Sequence, residues 1–254
     1  MRKFIFALFC LVTTPIFAQL NVSEPIFDGK TGYTIENSAY KLGFTENYGL
    51  PSWEMHKLEP KMLAGSAGGK EEWKSDSRVK GYKISTKDIS NAGTNLEAVQ
   101  LFPKEHAKND TAAFESSFLT SNVLFMSKQL KESIWERINH SFEELAQKNG
   151  AVYVISGPIF EKDSLKIKKI LNNHVSVPSF FYKLALFVQD GKTVCKCYRF
   201  ANRIPTDYER NCDVEEFAYN LYQLEADTGL DFFDRDIDAN FRQEKMKFLE
   251  KRVK

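Results

Sequence analysis

Large apolar residues recur at four- and three-residue steps through Leu130, Ile134, Ile138, Phe142 and Leu145, with polar or charged residues between them. That period predicts one amphipathic helix over 127–147, opened by Ser127 and stopped by Asn149-Gly150. Elsewhere the period is two. Tyr33 with Ile35, Tyr40 with Leu42 and Phe44, and Trp53 with Met55 alternate with other residues, which predicts strands at 33–35, 40–44 and 50–58. Asn47-Tyr48-Gly49 reads as the turn between the last two. Continuous apolar runs at 151–155 and 180–188 predict two buried strands, and Asp190-Gly191 predicts a hairpin turn into a further strand at 192–200. A short strand at 99–102 leads straight into His106. A helix at 214–227, capped by Asn211 or Asp213, and a charged tail from 238 close the chain. Residues 64–69 and 80–95 are Gly-rich or polar and read as loops. No repeat and no linker divide the chain, so the pattern predicts one α+β domain over 19–254, with its core at 33–234.

The first eighteen residues stand apart. Arg2 and Lys3 precede an apolar core from Phe4 to Val12, and Ala18 precedes Gln19 as a small residue at a cleavage point. This is the pattern of a secretory signal peptide over 1–18, so the expectation is a secreted or periplasmic protein with no membrane span after the signal is removed. Composition fits a globular chain: 43% hydrophobic and 27% charged over 254 residues. The formal net charge is +1, and losing Arg2 and Lys3 turns it slightly negative, so total charge gives no support for a phosphate-gripping surface. Cys10 leaves with the signal. Of Cys195, Cys197 and Cys212, the first two are neighbours on one strand face, so a disulfide is expected between Cys212 and one of them, closing a loop of about fifteen residues.

Candidate chemistry is concentrated between Phe102 and Trp135. Pro103-Lys104-Glu105-His106 is followed sixteen residues later by Asn122 in Ser121-Asn122, then by Trp135 on the long helix. Around this lie Tyr40-Lys41-Leu42-Gly43-Phe44 and the run from Pro51 to His56. Further on come the run from Val152 to Phe160, the run from Val177 to Lys183, and the run from Thr228 to Phe233. In this order and spacing the chain resembles the DNA/RNA non-specific endonucleases, over roughly 33–234. The resemblance implies a mixed or antiparallel central sheet with flanking helices and a ββα-metal active site. It also implies phosphodiester hydrolysis of DNA or RNA with Mg²⁺ as cofactor.

Carried over residue by residue, the resemblance makes His106 the general base, a role suited to an imidazole that titrates near neutrality. Lys104 stands where the family has Arg and keeps a positive charge without the bidentate fork. Asn122 would orient near the scissile phosphate. Phe125 and Met126 replace the family's Pro and Gln. Lys131 stands four residues before Trp135, at the metal-ligating Asn position, and Asn139 four after it, at the position of a Glu that holds metal-bound water. Spacing of four puts 131, 135 and 139 on one helical face. An ammonium about 4 Å from a divalent ion costs roughly 8 kcal/mol at an effective dielectric near 20. The family's Mg²⁺ site is therefore expected to be eroded, leaving Lys131 as a fixed cation for phosphate or as half of an ion pair with Glu105 or another acid. The alternative function is an inactive module that binds nucleic acid or a protein partner through the same cleft. His56, His140 and His174 read as ordinary polar histidines.

Overall fold

The computed structural model describes residues 22–27, 32–45, 48–90 and 95–232. The expected signal peptide and the charged tail lie outside these residues. At the centre is a six-stranded antiparallel sheet. Its order is Lys192–Ala201, Phe180–Gln189, Val152–Ile159, Pro51–Leu58, Tyr40–Thr45 and Gly32–Glu36. The strands fall where the alternation places them. Asp190 and Gly191 both take positive φ, 51° and 73°, as a two-residue hairpin turn of the twisted type requires. Gly43 has a different reason to be glycine: a Cβ there would lie 2.1 Å from the Trp53 ring, which covers that point of the sheet.

The two faces of the sheet bury different residues, because side chains alternate along each strand. Phe181, Ala185 and Phe187 join Leu42, Leu58 and Val154 under the long helix. Tyr182, Leu184 and Leu186 join Trp53, Met55 and Ile155 on the other face, covered by Leu221 and Leu224 of the Leu221–Thr228 helix. That helix is shorter than the pattern predicts. Asn220 caps it by accepting from the N–H groups of Tyr222 and Gln223, and residues 214–217 form a separate 3₁₀ turn.

The long helix runs from Lys128 to Asn149, with a π-turn over Lys131–Trp135 between its two α-helical parts. Its apolar stripe, Leu130, Ile134, Ile138 and Phe142, is buried as the period predicts. In front of it, Glu97–Gln100 and Val123–Met126 pair antiparallel as a two-stranded ladder, two residues earlier than the sequence placed the first strand. These two strands and the helix make the ββα unit. Thr111–Ser117, which the pattern did not predict, is a helix capped by Asp110, which accepts from Ala112 and Ala113 N–H groups.

Among the described residues no disulfide joins the cysteines. Cys195 and Cys197 pack on the Leu221–Leu224 side of the sheet. Cys212 follows the Asp207–Asn211 helix, where its carbonyl accepts from Arg137 of the long helix. The sheet lies between them, and all three thiols are free.

Candidate active-site cleft

Phe102 prepares the site. Its ring stacks on Tyr40 at 4.5 Å and meets the His56 ring edge-on at 5.0 Å, so the chain leaving the short strand is pinned to the central sheet. Lys104–Ala107 then forms a 3₁₀ turn that carries His106 inward, where it is 1% exposed. Asn122 fixes the same segment from the other side. Its Oδ1 accepts from Phe102 N–H at 2.9 Å, and its Nδ2 donates to the carbonyls of Phe102 and Ser117 at 3.0 and 2.9 Å. Fully buried and with its amide engaged three times over, Asn122 serves the backbone that holds His106 and does not face a ligand. Ser121 donates to Asp76 at 2.7 Å and anchors the same turn.

A cleft of about 540 Å³ opens in front of this turn. Lys104, Lys131 and Asn139, widely separated in sequence, all line it together with Trp73, Glu71, Glu105, Glu136, His140 and Glu143. Lys104 pairs with Glu71 at 2.5 Å. Lys131 pairs with Glu97 at 3.8 Å and not with Glu105. Both pairs are solvent-washed and worth little, so the ammonium groups remain full charges in the wall. In the π-turn Glu136 N–H bonds to Lys131 O, which brings Glu136 into the cleft wall as well, while Lys131, Trp135 and Asn139 line the cleft together as the spacing of four predicts. Met126 does not reach the cleft; it is fully buried in the strand opposite Glu97.

Beneath the cleft lies a group that the sequence reading did not assemble. His56 shares a proton with Glu54 through Nδ1 at 2.7 Å and with His106 through Nε2 and its Nδ1 at 2.9 Å. His106 Nε2 in turn faces Glu143 Oε1 at 3.5 Å, a long contact at the limit of hydrogen bonding, and has no closer partner. Glu54, Ser156 and Lys183 stand opposite one another on three adjacent strands. Lys183 is fully buried, donates to Ser156 Oγ at 3.3 Å and holds its Nζ 3.6 Å from the Trp135 ring centre. His56 is thus buried and satisfied, as an ordinary histidine would be, and it is also the link between His106 and a buried carboxyl group.

Burial sets the protonation of this group. It pushes Glu54 up to about 8, against the pull of Lys183 and His106. It lowers His56 to about 3, helped by Lys183. His106 falls to about 4 through burial, with Glu143 opposing the shift. Lys183 falls to about 7 through burial, partly offset by Glu54. Burial also works against ionisation of Glu143, but His106 and His140 more than compensate and hold it below the usual carboxylate range.

At the positions the resemblance assigns to the metal stand an ammonium, which has no lone pair to ligate with, and an amide, which brings no negative charge, so the pair does not fit a cation that prefers oxygen ligands with a carboxylate among them. Among the described residues no three His, Cys, Asp or Glu side chains are grouped to hold a metal ion.

A model of the DNA/RNA non-specific endonuclease family matches residues 20–237. Mitochondrial endonuclease G of Homo sapiens is 26% identical over 189 residues, covering 71% of this chain and 62% of the relative. Mitochondrial nuclease EXOG of Danio rerio is 23% identical over 203 residues, covering 76% and 58%. Nuclease C1 of Cunninghamella echinulata var. echinulata is 24% identical over 216 residues, covering 79% and 82%. The matches thus span about three fifths of the length of the endonuclease G and EXOG relatives. The solved structure of the EndoG/EndoGI complex superposes with a TM-score of 0.73 at 20% identity, covering 82% of this chain and 88% of that one. That likeness is one of fold.

Proposed function

The chain belongs to the DNA/RNA non-specific endonuclease family, and from that premise we propose an exported protein in which the family's cation-dependent hydrolysis is lost or strongly reduced and the cleft serves for binding. The observation that carries this reading is Lys131: its ammonium lies in the cleft wall, and Asn139, not a carboxylate, follows it. A divalent ion there would meet repulsion without compensating charge. His106 adds support. It is closed off from the cleft, and burial keeps its ring neutral with Glu143 against its outer nitrogen. Export rests on the Arg2-Lys3 and Phe4–Val12 pattern of the leader.

Four carboxylates line the cleft against Lys104, Lys131 and His140. That balance favours a partner bearing basic side chains over a polyphosphate chain. The test is plasmid nicking by the mature protein with Mg²⁺ or Mn²⁺. No nicking is expected; nicking that disappears with a chelator and in His106→Ala would overturn the reading.

One observation favours a second reading, in which slow hydrolysis persists. His106 is backed by a second imidazole and a carboxyl group, an arrangement suited to holding a general base in a fixed orientation. In that case His106 is the base, and Lys104 and Lys131 hold phosphate charge. Single-turnover nicking at high enzyme concentration separates the two readings.

A further inference from the structure

Glu54, His56, His106 and Glu143 stand in single file from the centre of the sheet to the cleft, with contacts of 2.7, 2.9 and 3.5 Å. Each nitrogen of the two rings meets one neighbour in the file. A neutral imidazole carries one N–H and one lone pair, so the position of the proton at one link dictates its position at the next. With both rings neutral, only two arrangements satisfy every link.

In the first, the Glu54 carboxyl donates to His56 Nδ1, His56 Nε2–H donates to His106 Nδ1, and His106 Nε2–H points at the Glu143 carboxylate. In the second, each of the three protons has crossed its own link outward, toward the cleft. Glu54 is then the carboxylate, both rings carry the proton on Nδ1, and Glu143 is the neutral acid beside a bare His106 Nε2. No proton is gained or lost between them. One negative charge changes ends, from the cleft to the sheet.

We propose that Glu54 and His56 are positioning residues that set the tautomer of His106, so that the file decides whether Glu143, which lines the cleft, meets an N–H donor or a basic lone pair. The proposal goes beyond the binding reading and does not depend on whether hydrolysis survives. The groups that bias the file are all in view. Lys183, two strands away across Ser156, draws negative charge toward Glu54, while Tyr40 also faces that carboxyl. His140 faces Glu143 from the helix. Glu54 Oε2 has no hydrogen-bond partner, a cost that a neutral carboxyl bears far more easily than a carboxylate. The first arrangement is therefore the resting one, and His106 presents a donor to Glu143 in the cleft wall.

The test is nitrogen NMR of the full mature protein labelled with ¹⁵N-histidine, which reports the protonated nitrogen of each ring. At neutral pH, His56 and His106 are expected to be neutral and to carry the same tautomer, Nε2–H. Rings of opposite tautomer, or a cationic ring, would overturn the proposal. Glu143→Ala removes the outer acceptor from a partly exposed helix position. Both rings are then expected to shift together toward Nδ1–H, each proton crossing its link outward and the one from His106 Nε2 leaving to solvent. A shift of His106 alone, or of neither ring, would show that the file does not act as a unit.

Discussion

His56 Nε2 and His106 Nδ1 lie 2.9 Å apart, in two rings that are 3% and 1% exposed. Fifty residues separate them in the chain, and the central sheet closes that distance. Because both rings are closed off from water, their protonation is tied to folding.

Acid stability follows directly. Burial lowers His56 to about 3 and His106 to about 4 from an ordinary value of 6.5. Below pH 6.5 the unfolded chain binds two protons that the fold excludes. Glu54, raised by burial to about 8 from 4.5, opposes this by keeping one proton that the unfolded chain releases. The balance is about one proton taken up on unfolding between roughly pH 4.5 and 6.5, or about 1.4 kcal/mol lost per pH unit as pH falls. Urea unfolding at pH 6.5 and pH 5 should show the decline. A flat or rising profile would contradict the buried neutral pair.

Asn122→Ala is expected to act on stability. The variant removes three hydrogen bonds and leaves the N–H and carbonyl of Phe102 without partners in a buried place, while the Ser117 carbonyl keeps its bond from Gln100. The loss should be roughly 2–4 kcal/mol, seen as a clear fall in Tm. An unchanged Tm would return Asn122 to a ligand-facing role.

The ββα unit was legible because its signals are local. A 3.6-residue stripe gave the long helix, alternation gave the strands, and Trp135 fixed the register of Lys131 and Asn139. The buried file was not legible for the opposite reason: Glu54, His56, His106, Glu143 and Lys183 come from four separated segments. One signal was available. In the run from Pro51 to Leu58, Trp53 and Met55 occupy one face, which leaves Glu54 and His56 beside Leu58 on the other. Two ionisable residues on a face that must be buried call for a partner. The disulfide expectation failed because spacing along a strand does not say which side of the sheet a later cysteine will reach.

Free thiols give a simple check. With Cys195 and Cys197 on one side of the sheet and Cys212 on the other, reductant should leave Tm unchanged, and alkylation of the denatured mature protein should label all three. A reductant-sensitive Tm would show that the sheet does not separate them.

The final prediction reverses the erosion of the cation site. Met126 should be left alone, because it is buried opposite Glu97 and an amide there would lack a partner. The change is Lys131→Asn with Asn139→Glu, both in the cleft wall. Removing the ammonium removes a repulsion of roughly 8 kcal/mol at close range, and the new amide oxygen and carboxylate supply the chemistry that Mg²⁺ and Mn²⁺ prefer. Calorimetry should then detect divalent-cation binding absent from the wild type, and plasmid nicking should become measurable and chelator-sensitive. Adding His106→Ala should abolish the nicking while leaving most of the cation binding. The rate should stay low, because Lys104 lacks the guanidinium fork and one preorganised charge contact is typically worth about 10²–10³-fold. A wild type that nicks as fast as the double variant would show that Lys131 and Asn139 are not what holds the activity back.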